Sequence, residues 1–111
     1  MQVLLNIVKN AIDSLKNSDD KYIFISINST EKYTQISIKD SGLGISDDMM
    51  QKIFDPYTTT KHQAVGTGLG LYMSYQIINT IYKGDIKTRN IEFEYNNKKM
   101  KGAQFIIEIP K

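Results

Sequence analysis

The sequence predicts an α+β fold: a two-layer α/β sandwich with helices packed on one face of a mixed β-sheet. Three observations predict it. Two stretches carry apolar residues at helical spacing, and four stretches alternate with β-branched residues. Their order along the 111 residues is helix, two strands, short helix, long loop, helix, two strands. That order places helices and strands in separate layers over one core, which a chain of this length can bury.

The first helix is read over residues 2 to 16, from apolar positions at Val3, Leu4, Ile7, Val8, Ala11, Ile12 and Leu15. Asn17-Ser18-Asp19-Asp20 ends it. Tyr22 to Ser29 and Tyr33 to Lys39 alternate about a short polar turn and predict a hairpin. Asp40-Ser41-Gly42-Leu43-Gly44 predicts a loop. Ser46 predicts the N-cap of a short helix over Asp47 to Ile53, with acids in its first turn. Residues 55 to 67 have no period and predict a long loop, expected to be mobile without a ligand and functional. A second amphipathic helix is read from about Leu69 to Ile81, with Gly84 beyond its end. Asp85 to Tyr95 and Ala103 to Ile109 predict two more strands. Asn96-Asn97 and a basic, solvated stretch around Lys98, Lys99 and Lys101 join them.

The composition narrows the classes of function. A net charge of +2 gives no footprint for nucleic acid. With no cysteine, disulfides and thiolate metal sites are excluded. No apolar stretch is long enough to span a bilayer as a helix. The opening MQVLLNIVKNAIDS has neither the basic start nor the cleavage site of a secretory signal. It reads as the inside of a helix, which predicts an N-terminally truncated piece of a longer chain.

Four clusters carry chemistry. Asn6 and Asn10, four apart, share a helix face read as lying opposite the apolar stripe. Two amide oxygens on a rigid face can hold Mg²⁺, which takes few protein ligands and keeps phosphate oxygens and water. A plain solvated helix face accounts for the spacing too. Asp40 at a strand end can accept from the exocyclic amino group of a purine. Gly42 and Gly44 let the backbone approach closely, although a simple turn explains them as well. Gly66-Thr67-Gly68-Leu69-Gly70 opens the second long helix, where backbone N–H groups favour phosphate. The segment fits neither the dinucleotide fingerprint nor a P-loop. Phe54 and Tyr57 suit loop anchors, and Lys61 suits a point charge for a terminal phosphate. His62, the single histidine, reads as a solvated loop residue.

The order of these clusters resembles the ATP-binding catalytic domain of sensor histidine kinases, in the superfamily that also holds gyrase, Hsp90 and MutL. The resemblance covers nearly the whole chain. It matches the N box at Asn6 and Asn10, the G1 box at Asp40, Gly42 and Gly44, the F box at Phe54, and the G2 box at Gly66, Gly68 and Gly70. Residues 53 to 61 look like the start of the ATP lid, and 102 to 110 like the last strand.

The resemblance implies a Bergerat-type fold and the cofactors ATP and Mg²⁺. It implies Mg²⁺ coordination by Asn10 with support from Asn6, and adenine recognition by Asp40. It also implies an adenine pocket shaped by Gly42 and Gly44, phosphates held by residues 66 to 70, and Lys61 near the γ-phosphate. The implied activity is transfer of the γ-phosphoryl group to a histidine on a separate dimerisation domain, with a response regulator downstream. The parent kinase is expected to be a homodimer, with this domain cytoplasmic and the parent sometimes anchored in the inner membrane. Asp13 stands where many members carry a basic residue. The alternative is a switch ATPase of the same superfamily. There the residue four before the metal-binding Asn is typically Glu, and here it is Asn6.

Overall fold

The computed structural model describes residues 2–55 and 70–111. Its elements are α1 (Gln2–Ser14), β1 (Ile23–Ser29), β2 (Tyr33–Asp40), α2 (Asp47–Met50), α3 (Gly70–Thr80), β3 (Asp85–Tyr95) and β4 (Lys98–Pro110). The four strands form one sheet in the order β1-β2-β4-β3. The sheet is antiparallel at every pairing among the described residues, where a mixed sheet was expected. Two hairpins, β1–β2 and β3–β4, lie side by side, and β2 meets β4 at the seam. In that arrangement sequence neighbours run antiparallel, and so do the two inner strands.

Period-2 alternation explains which side of the sheet is buried. Ile36 and Ile38 of β2 pair with Ile107 and Phe105 of β4, and Ile86 of β3 pairs with Ile107. All five point to the helical side and are buried, with Val3, Ile7 and Ile78 from the helices. The expected sandwich is therefore present, with α1 and α3 laid on one face. Burying side chains of this size stabilises by roughly 1.5–3 kcal/mol each. The cluster is what holds the two layers together.

Two boundaries differ from the sequence reading by more than two residues. Lys98 to Lys101 belong to β4 and do not form a basic loop. Asn96 and Asn97 both have positive φ, 52° and 61°, as a two-residue hairpin turn with the right twist requires. Such a turn leaves no residues over, so β4 starts at once, with Met100 buried among exposed lysines. The short helix capped by Ser46, whose hydroxyl accepts from the Met49 N–H, stops at Met50. Turns then carry the chain through Ile53 and Phe54, which pack on the core.

Candidate nucleotide site

Asp40 closes β2 at the seam of the sheet and is only 2% exposed. Its Oδ1 accepts from the Gly42 N–H at 2.9 Å and from the Ala103 N–H of β4 at 3.3 Å. Neither bond engages Oδ2. Burial raises the carboxyl above its ordinary pKa, and the two backbone donors oppose that rise. Among the described residues Oδ2 has no hydrogen-bond partner, and a carboxylate oxygen in that state can accept from a further donor.

The loop after Asp40 is held on several sides. Ser41 is buried; its backbone N–H donates to the Tyr22 carbonyl and its hydroxyl to the Asp20 carbonyl. The Ser18 hydroxyl donates to the Ser41 carbonyl at 2.8 Å. Leu43 and Gly44 both have positive φ, 74° and 91°. Gly42 lies against the end of α1, where a Cβ would stand 2.5 Å from Ser14 Oγ and 2.8 Å from the Ser14 carbonyl. Gly102 of β4 is confined too, since a methyl there would overlap the Asp40 carbonyl. The glycine at 42 thus permits helix and loop to meet, and the one at 102 lets β4 pass close to Asp40.

The polar face of α1 connects this loop to the start of α3. Asn6 Nδ2 donates to Ser74 Oγ at 3.2 Å and to the Gly70 carbonyl at 3.4 Å, and its Oδ1 accepts from Gln2. Ser74 is fully buried and donates to the Gly70 carbonyl. Asn6, Asn10 and Ser14 are spaced by four, so one helix face touches the α3 start at Asn6 and the glycine loop at Ser14. Eight residues of helix span about 12 Å. Asn10 lies midway and is half-buried. The asparagines do not lie opposite the apolar stripe, as the sequence reading had them. Asn10 is one heptad from Val3, about 20° away around the helix, so the pair borders the buried stripe. A position beside the core is what lets these amides reach other elements.

The Phe54 ring lies 5.1 Å from that of Tyr75 of α3, tilted by 35°, and meets Phe105 edge-on at 6.4 Å, so it anchors the segment after α2 in the core. Lys61, His62, Gly66, Thr67, Gly68 and Leu69, and the expected loop from 56 onward, lie outside the described residues. The sequence reading missed Asn90, Gly102, Ser18, Ser41 and Ser74, all of which bear on this region. Asn90 carried one signal: it continues the inward-facing series of Ile86 and Thr88 along β3 with a polar amide. Among the described residues, no group of three or more His, Cys, Asp or Glu gathers as a metal cluster. No described helix is long and apolar enough to cross a membrane.

A buried carboxylate, a glycine loop and an asparagine-bearing helix set against a second helix start define a nucleotide-binding α/β sandwich. Residues 1–111 match the model of the family described as histidine kinase-, DNA gyrase B- and HSP90-like ATPase, and the chain belongs to that family. Within it, the relatives are kinases. The chain is 36% identical over 110 residues to sporulation kinase E of Bacillus subtilis, covering 98% of this chain and 13% of that protein. It is 42% identical over 90 residues to the signal transduction histidine-protein kinase AtoS of Escherichia coli, covering 81% of this chain and 14% of that protein. The nucleotide-free catalytic domain of histidine kinase ThkA superposes with a TM-score of 0.76 at 37% identity. That superposition covers 99% of this chain and 65% of that domain. The chain thus spans only a small part of the length of its curated relatives.

Proposed function

We propose that this chain is the ATP–Mg²⁺-binding catalytic part of a two-component sensor histidine kinase. In this reading it presents the γ-phosphoryl group to a histidine on a separate dimerisation domain, and a response regulator receives the phosphoryl group afterwards. The parent protein would act as a homodimer, with this domain on the cytoplasmic side. The observation that carries the reading is Asp40: a buried carboxylate with one oxygen fixed by two backbone N–H groups and the other left to accept from adenine. The residues present fit the nucleotide. Gly42 and Gly44 let the loop beside Asp40 pack closely on Ser14 of α1 and on Asn90, and the half-buried Asn10 carries an amide oxygen of the hard kind Mg²⁺ takes. Gly70 begins a helix whose first N–H groups have no intrahelical partner.

In this reading Asp40 orients the base, and the loop of Gly42 and Gly44 shapes the pocket beside it. Asn10 contributes to the metal shell. Asn6 keeps α1 and the start of α3 in step, and residues 66 to 70 with Lys61 face the phosphates. Bound ATP with Mg²⁺ supplies the phosphoryl group and neutralises its charge; positioning does most of the rest. Asn6 also favours a kinase over a switch ATPase. Its amide is occupied with Gln2, Ser74 and Gly70, and an amide cannot take a proton from water near neutral pH. A histidine brings its own nucleophilic nitrogen and has no need of such a base.

The test is to incubate the chain with ATP and Mg²⁺, alone and with the helical-hairpin phosphoacceptor domain of a related kinase. Acid-labile phosphate on the added histidine is expected, with phosphate release by the chain alone near background. Robust hydrolysis that disappears in Asn10→Ala would overturn the kinase reading in favour of the switch ATPase.

A further inference from the structure

Asp40, Ala103 and Asn90 lie in one row across the sheet. Ala103 of β4 pairs with Asn90 of β3 on one side, and on the other its N–H donates to Asp40 of β2. All three are on the helical side of the sheet by strand alternation. Ala103, buried and small, separates the two polar ends.

The Asn90 amide does not reach toward Asp40. It grips the backbone of Ile45 from both sides. The Ile45 N–H donates to Asn90 Oδ1 at 2.7 Å, and Asn90 Nδ2 donates to the Ile45 carbonyl at 2.7 Å. A side-chain amide carries one acceptor and one donor group at the spacing of a peptide bond, so it can pair with a backbone residue as a neighbouring strand would. Gly44 makes room for the grip. Its φ of +91° is one that side chains rarely adopt, and a Cβ there would stand 2.9 Å from Asn90 Oδ1.

The loop is therefore tied at two ends. Asp40 fixes its start through the Gly42 N–H, and the Leu43 N–H donates to the Lys101 carbonyl at 3.1 Å. Asn90 fixes its finish at Ile45. Between the ties sit two residues in the left-handed region, one of them Leu43, which carries a side chain at some conformational cost. Untied, that segment would relax toward commoner backbone angles, and the space beside Asp40 would change with it.

We infer that Asn90 is a positioning residue for nucleotide recognition, holding residues 42 to 45 in the shape that lets Asp40 meet adenine. The inference rests on the adenine reading of Asp40 given above. Asn90 is exposed, so its truncation opens no core cavity, and its effect falls on the loop. Asn90→Asp is the sharper variant. It keeps the acceptor for the Ile45 N–H and sets a carboxylate oxygen against the Ile45 carbonyl.

The experiment measures ATP and GTP affinity by calorimetry for the purified chain and for Asn90→Ala, Asn90→Asp and Asp40→Ala. Thermal midpoints and amide exchange at Leu43 and Ile45 are read without nucleotide. Expected for both Asn90 variants are ATP binding weakened about tenfold and a reduced preference for ATP over GTP. The Leu43 and Ile45 amides should exchange faster while the thermal midpoint stays close to that of the unaltered chain. A merely structural role would lower the midpoint and weaken both nucleotides alike, and that result overturns the inference. So does unaltered ATP affinity in Asn90→Ala when Asp40→Ala has lost it. Unaltered ATP affinity in Asp40→Ala instead overturns the adenine reading itself.

Discussion

Asp40→Asn changes one oxygen to an NH₂ and leaves volume and shape nearly intact. The side chain has two orientations, and each loses something. With its oxygen kept on the Gly42 and Ala103 N–H groups, the new NH₂ takes the place of Oδ2 and faces the adenine amino group, donor against donor. With the amide flipped, the NH₂ faces two backbone N–H groups that donated at 2.9 and 3.3 Å. A hydrogen bond to a charged group contributes roughly 1.5–3 kcal/mol, and a buried donor left unpaired costs roughly 1–3 kcal/mol. Together about 2.5–6 kcal/mol is lost from binding, or roughly two to four powers of ten in affinity. Folding responds in the other direction. Burial disfavours the charged carboxylate, as the upward pKa shift records, and the neutral amide is free of that penalty. The variant should melt no lower than the unaltered chain near neutral pH while binding ATP far more weakly. Calorimetry with ATP beside a thermal melt reads both. An ATP affinity within about threefold of the unaltered value would refute the assignment of Asp40 as the adenine acceptor.

Three further outcomes follow from the same geometry. Because the folded-state pKa of Asp40 lies above its unfolded value of 3.8, its contribution to stability is present below that value and is lost as pH rises through the raised pKa. On the adenine reading of Asp40, binding requires the carboxylate, so it runs the opposite way and should weaken as pH falls through the raised pKa; a pH series of ATP affinity should show this, and Asp40→Asn should flatten it. Gly102→Ala forces a methyl into the Asp40 carbonyl, so denaturant unfolding should show a loss of at least about 1–3 kcal/mol together with weakened ATP binding. Asn10→Ala should remove most of the Mg²⁺ dependence of nucleotide binding, whereas Asn6→Ala, by freeing Ser74 and Gly70 from α1, should act first on stability, by roughly 1–2 kcal/mol in a melt; the reverse pattern would move the metal site to Asn6.

Much of the fold was legible because its signals are local. The apolar spacing of Val3, Ile7 and Ala11 and the alternation of Ile36, Ile38, Phe105 and Ile107 each declare an element and its buried side within a few residues. The start of β4 was not legible. Asn96-Asn97 is a weaker turn signal than Asn-Gly, and a run of lysines around one methionine looks like a solvated loop until the turn geometry is known. In the candidate site, the Asn6–Asn10 pair and the Asp40, Gly42 and Gly44 cluster each stood out as residues of telling type within a few positions of one another. Asn90, Gly102 and Ser74 did not, because what matters about them is a contact made across the sheet or between helices. Asn90 is 45 residues from the loop that it grips, and no window along the chain contains both.

The seam between the two hairpins has a kinetic consequence. The β1–β2 and β3–β4 pairings each join neighbouring stretches of chain, and hairpins of this kind form in roughly microseconds. The β2–β4 pairing joins residues such as Ile38 and Phe105, across a far longer loop. Its closure entropy must be met before its contacts repay it, so it is expected to come late. Asp40 acquires its Ala103 donor only then. The last zipping step of folding is therefore the step that assembles the acceptor, and a nucleotide seated there would act as a latch on that seam. It should slow unfolding by holding the late-formed contacts while leaving the rate of folding nearly unchanged, a difference that stopped-flow measurements over a range of ATP concentrations would resolve.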